Sequence, residues 1–205
     1  MELLDGSPNN RILIVDDNAA IHEDFRKILN PKTLASSAAV DALAQSLFED
    51  DGTKLEVDDL NFELTHAMQG QEALATVKQA LSANNPYALA FVDVRMPPGW
   101  NGVETVEKIW ELDSEIEIVL CTAYSDFTWD EIRQRLRHPD RLLILRKPFD
   151  AIEVLQLAYC LTKKWFLRRQ ASCRMQDLEI MVEERVKELE QAKKSLQQAS
   201  RQHGR

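Results

Sequence analysis

Chemistry-bearing residues close several apolar runs in this 205-residue chain. Asp16-Asp17 follow Arg11-Ile12-Leu13-Ile14-Val15, and Asp93 follows Ala88-Leu89-Ala90-Phe91-Val92. Thr122 ends the stretch Glu115 to Cys121, and Lys147 lies just past Leu142-Leu143-Ile144-Leu145. Three carboxylates gathered in one place repel one another and need a counter-charge, and hard oxygen donors at neutral pH favour Mg²⁺. A carboxylate can itself be the nucleophile and form an aspartyl-phosphate, with an ammonium and a metal neutralising the phosphoryl oxygens and a hydroxyl donating to one of them. Phosphoryl transfer onto one of these carboxylates is therefore the chemistry this set could perform. An Asp-Asp pair or a Lys-Pro dipeptide means little alone; the weight lies in their shared placement at the ends of apolar runs.

Those runs must position the set. Continuous aliphatic stretches suit strands of a parallel sheet covered on both faces, and helical spacing fills the intervals. Ile21 to Leu29, Gln71 to Leu81, and Val103, Val106, Ile109 and Trp110 after the Asn101-Gly102 turn all carry that spacing. With Leu60 to Thr65 as a further strand, the chain holds five βα units. That predicts an α/β fold with a five-stranded parallel, doubly wound (flavodoxin-like) sheet. Such sheets bind ligands outside the carboxyl ends of their strands, where Asp16, Asp17, Asp93, Thr122 and Lys147 all fall.

Two segments exceed a minimal layout. About 30 residues separate the first helix from the second strand, where 2–6 is common; Val40, Leu43, Leu47 and Phe48 suggest a short extra helix there, before the acidic Glu49-Asp50-Asp51-Gly52. From Ala151 a helical pattern runs nearly to the end, with no Gly or Pro before Gly204. Leu161, Met175, Val182, Leu189 and Leu196 recur at multiples of seven, and Leu178, Ala192 and Ala199 partly fill the companion row, which Arg168 and Arg185 weaken. A lone solvated helix of that length is marginal, so a parallel two-stranded coiled coil is expected, with a fold-back onto its own domain as the alternative. The expected organisation is a disordered N-terminus over 1–10, a domain over 11–165 with an insertion at about 30–60, and a coiled-coil linker helix over 166–205.

Composition excludes several classes. No apolar run approaches the roughly 20 residues that cross a bilayer, and acid stands where a signal peptide would carry Lys or Arg, so a cytoplasmic location without membrane partners is expected. Residues 1–150 carry a net charge of −13 and residues 151–205 of +4, which points away from direct nucleic-acid binding. Cys121, Cys160 and Cys173 form neither a disulfide framework nor a zinc site and read as isolated small hydrophobes, Cys121 as core. His22, His66, His138 and His203 show no spacing for a metal or a catalytic pair, and Trp100, Trp110, Trp129 and Trp165 read as scattered packing residues.

Taken in order, Asp16-Asp17, Asp93-Val94-Arg95-Met96-Pro97, Thr122-Ala123 and Lys147-Pro148-Phe149 resemble the receiver domain of two-component response regulators over roughly residues 10–165. The resemblance implies Asp93 as phosphoacceptor, Asp17 and Asp93 on Mg²⁺ directly, Asp16 nearby through water, and the backbone carbonyl of Arg95 as a further metal ligand. It implies that Thr122 bonds a phosphoryl oxygen, that Lys147 pairs with the phosphate, and that the Lys147–Pro148 bond is cis. The implied partner is a histidine kinase or phosphotransfer protein. The receiver would catalyse only its own phosphorylation and dephosphorylation, and relay its state through the C-terminal coil of a homodimer to an output module outside these residues. The chain departs from the family in one extra residue before Gly102, and in Ile144, where many relatives carry Tyr or Phe; Tyr124 is expected to cover the site instead. Two competing readings are an unphosphorylated interaction scaffold and an aspartate-nucleophile phosphohydrolase, which would want an acid where Arg95 stands.

Overall fold

A computed structural model describes residues 9–30, 62–123, 135–136 and 138–203. The expected insertion at 30–60, Leu60, Tyr124 and Trp129 lie outside them. The strands are β1 (Arg11–Val15), β2 (Glu63–Ala67), β3 (Leu89–Asp93), β4 (Glu117–Thr122) and β5 (Leu142–Arg146); the helices are α1 (Ala19–Leu29), α2 (Gly70–Ser82), α3 (Gly102–Leu112) and α4 (Ala151–His203). All strand pairs are parallel, in the order β2-β1-β3-β4-β5, the five-stranded doubly wound sheet that the apolar runs predict.

Strand periodicity sorts the core into two layers. Leu13, Val15, Ala90, Val92, Ile118 and Leu120 face Val77 of α2 and Val103, Val106 and Ile109 of α3. Their neighbours Ile12, Ile14, Leu89, Phe91, Val119 and Cys121 face Phe25 and Leu29 of α1 and Val154, Ala158 and Leu161 of α4. β1, β3 and β4 are thus apolar on both sides, which is why their sequences do not alternate, while edge strand β5 leaves Leu143 and Arg146 exposed. β2, at the other edge, keeps Glu63 exposed and only Ala67 buried; it overlaps the expected Leu60 to Thr65 strand at Glu63 to Thr65, Leu60 lying outside the described residues.

Helix ends are set locally. Asn18 caps α1 by accepting from the Ala20 amide at 3.0 Å, and Asn101 caps α3 by accepting from Glu104 at 2.9 Å. Gly102 is required by close approach: a Cβ there would overlap the Asp93 carbonyl oxygen and lie 2.8 Å from Val94 Cα.

The described residues fall into two compact units, one within Asp5–Phe166 and one from Leu167 onward that is helical to His203. Within the first unit, the opening turns of α4 bury Val154, Ala158, Leu161, Thr162 and Trp165. Leu161 and Trp165 therefore serve the core; Leu161 is not the first residue of a free seam, as the heptad count suggested. Lys164 bonds the fully buried Glu117 at 2.8 Å and the Asp140 carbonyl at 2.7 Å. In the second unit Leu167, Met175, Leu178, Met181, Val182, Val186 and Leu189 are all exposed. Among the described residues no helix is long and apolar enough to cross a membrane.

Candidate functional site: an acidic cluster around Lys147

Strand register assembles the site. Val15 pairs with Val92, Asp93 with Cys121, and Thr122 with Arg146, so the residues that follow these positions emerge together at the carboxyl edge of the sheet. The crossover that places β3 beside β1 then brings Asp16 next to Asp93. Backbone bonds continue the ladder past the strand ends: Val94 N donates to the Cys121 carbonyl at 3.0 Å and Lys147 N to the Thr122 carbonyl at 2.8 Å.

Lys147 is the hub. Its Nζ lies 2.6 Å from Asp16 Oδ2 and 2.7 Å from Asp93 Oδ1, and the Lys147–Pro148 bond is cis, as expected. The remaining carboxylate oxygens are held by backbone: Asp16 Oδ1 accepts from Asn18 N and Asp93 Oδ2 from Arg95 N, both at 2.9 Å. Asp16 and Asp93 are buried, while Asp17 is exposed beside them. Burial pushes the Asp93 carboxyl above its usual range, the Asp16 charge adds to this, and the hydrogen bond and charge of Lys147 oppose it. For Lys147 burial acts downward, but its bonds to Asp16 and Asp93 outweigh that and hold the ammonium above its ordinary value.

The structure brings together Asp16, Asp93 and Lys147 and places Asp17 and Arg95 alongside. The Thr122 hydroxyl donates to the Ala123 carbonyl at 2.9 Å. Among the described residues no three metal-ligating side chains are already gathered into a cage. Two buried carboxylates with an exposed third are nevertheless a donor set suited to an ion that keeps most of its waters and takes one or two carboxylates, as Mg²⁺ does.

Sequence spacing missed one feature. His22, 5 % exposed on α1, places Nε2 2.8 Å from the Asp16 carbonyl oxygen and Nδ1 2.9 Å from Nδ1 of His66 on β2. The two histidines are 44 positions apart, so no local pattern could pair them; only the alignment of β2 with β1 does.

The fold and site together define a doubly wound α/β protein with an acid–lysine cluster at the carboxyl edge of its sheet. The chain belongs to the response regulator receiver domain family, whose model matches residues 50–159. That match begins after β1, so Asp16 and Asp17 join the site through the fold. Among solved structures, the chain is similar to an adenylate cyclase from Rhodopirellula baltica (20% identity, TM-score 0.58, covering 82% of this chain and 98% of that one). It is also similar to a CheY-like response regulator receiver domain protein from Methanospirillum hungatei JF-1 (20%, 0.52, 76% and 95%). A third is a two component transcriptional regulator AraC from Clostridium phytofermentans ISDg (23%, 0.52, 78% and 98%). At these identities the likeness shows the fold alone. No curated protein matches the chain.

Proposed function

We propose that the chain is a phosphorylation-switched receiver that takes a phosphoryl group on Asp93 from a histidine kinase or phosphotransfer protein and passes its state into α4. The observation that carries this reading is the bridging of Asp16 and Asp93 by the Lys147 ammonium at 2.6 and 2.7 Å. An Asp93 oxygen attacks phosphorus, forming an acyl phosphate, while the bond to the donor's histidine nitrogen breaks and that nitrogen keeps the electron pair. Lys147 then follows the charge from carboxylate to phosphoryl oxygen, and Thr122 turns its hydroxyl from Ala123 to a second phosphoryl oxygen. Asp16, Asp17, Asp93 and the Arg95 carbonyl would hold Mg²⁺, which when bound neutralises charge on the phosphoryl group. The extra negative charge on Asp93 is the switch.

The exposed seam of α4 supports a parallel homodimer as the outlet. In register, the positions flanking the seam would oppose Arg174 to Glu179, Met181 to Val186 and Glu188 to Lys193, so each flanking pair is either complementary in charge or apolar. Arg185, the polar break in the seam, bonds Glu188 of its own helix at 2.7 Å. Incorporation of acid-labile ³²P from acetyl phosphate, lost in Asp93→Asn, tests the acceptor; labelling that persists in the variant overturns it. Disulfide trapping of Met175→Cys, with Cys160 and Cys173 replaced by Ser, tests the dimer: a parallel pair links 175 to 175, an antiparallel or monomeric helix does not.

A further inference from the structure

We propose that His22 and His66 form a brace that fixes the Asp16–Asp17 peptide and so sets the affinity of the acidic site for divalent cations. This rests on the reading that the site holds Mg²⁺. A carbonyl oxygen only accepts, so His22 Nε2 at 2.8 Å from Asp16 must carry the hydrogen. In the neutral ring, His22 Nδ1 is then the acceptor, and His66 must donate from its own Nδ1 across 2.9 Å. For two neutral rings, both tautomers follow from one fixed carbonyl. The ring planes stand 79° apart with centroids separated by 4.9 Å, and the Nδ1 atoms are the pair in contact.

What the brace holds is a peptide plane. The Asp16 carbonyl belongs to the rigid unit that also contains the Asp17 nitrogen and Cα, so fixing that oxygen fixes the direction in which Asp17 leaves β1. The remaining polar groups of Asp16 are tied elsewhere: its amide donates to the Ala67 carbonyl at 3.2 Å, and its carboxylate oxygens accept from Asn18 N and Lys147 Nζ. The carbonyl at the turn from strand to acidic pair is thus oriented by His22, and His22 by His66. Burial, the neighbouring His22 and Arg26 hold His66 below its usual value, with Glu23 opposing, which keeps the ring in the neutral form the brace uses. His22 and His66 are positioning residues that act through Asp16.

The test measures Mg²⁺ binding by calorimetry at pH 7.5, and amide exchange at Asp17 and Asn18 in EDTA, on the full chain. His22→Leu removes the donor and is expected to weaken Mg²⁺ by about tenfold or more and to speed exchange at both amides. His22→Gln, which keeps an N–H at the same reach, is expected to stay within about threefold of the parent, and His66→Ala to fall between the two. A folded His22→Leu protein that binds Mg²⁺ within about twofold of the parent, or a Gln variant as weak as Leu, overturns the brace. If His22→Leu does not fold, a His66→Ala protein with parental affinity and exchange overturns it. A parent chain that binds no Mg²⁺ sinks the receiver-site reading instead, and the exchange rates in EDTA then judge the brace alone.

Discussion

Replacing Lys147 by Met keeps the length of the side chain and removes its charge from between two carboxylates that are 4% and 10% exposed. Breaking a buried ion pair from one side costs about 3–5 kcal/mol. Lys147 retains 24% exposure, so water already screens part of the interaction and lowers the cost to about 2–4 kcal/mol. For a unit of this size that corresponds to roughly 5–12 °C in Tm. The assay is urea unfolding followed by tryptophan fluorescence, in EDTA and in excess Mg²⁺. Three outcomes are expected: the variant loses stability in EDTA, recovers more than the parent when Mg²⁺ supplies the missing counter-charge, and regains at least about 1 kcal/mol when Asp93→Asn removes one of the stranded carboxylates. A Lys147→Met protein within about 0.5 kcal/mol of the parent in EDTA, or no recovery in the double variant, would refute the placement of Lys147 as hub.

Gly102→Ala drives a methyl group into the Asp93 carbonyl and the Val94 backbone, and is expected to cost about 1–3 kcal/mol or more in chemical denaturation, with slower acetyl phosphate labelling. Because the folded-state value of Asp93 is raised by burial, its contribution to stability is full below the ordinary value of about 3.9 and is lost as pH rises through the raised value; without Mg²⁺, Asp93→Asn is therefore expected to be the more stable protein at neutral pH, with a flatter stability–pH curve above pH 4. Cys160 and Cys173 are exposed and Cys121 is buried, with burial pushing its thiol strongly upward, so a native thiol titration is expected to count the first two, and Cys121 only after denaturation.

β1, β3 and β4 are buried on both faces and edge strand β5 is aliphatic through Leu145, and their continuous apolar runs locate all four to within two residues at either end. The polar residues just beyond them assemble by the rule that ligands gather at the carboxyl edge, which is why Asp16, Asp93 and Lys147 are legible in the sequence. What escaped the sequence depends on contacts between distant segments. Edge strand β2 is half-exposed and lacks a marked pattern, so its position, and with it the meeting of His66 with His22, needed the register against β1. Glu117, inside the stretch from Glu115 to Cys121, is fully buried and paired with Lys164, 47 positions later, a contact that no local pattern shows. Leu161 satisfies a heptad arithmetically yet packs in the core, since a repeat of seven does not say which neighbour a helix face will meet.

The bond between Glu117 and Lys164 gives β4 two attachments. Its last residue, Thr122, borders the acidic cluster, while its first fastens the opening turns of α4, and six residues of strand separate these ends by roughly 17 Å. A sheet strand is stiff along its length, so α4 begins from a fixed footing, and a piece of this protein cut before Lys164 would lose the cation that neutralises a carboxylate sealed in its core. The smallest portion able to stand alone therefore reaches beyond the last strand, into the helix that would otherwise be taken for a mere connector.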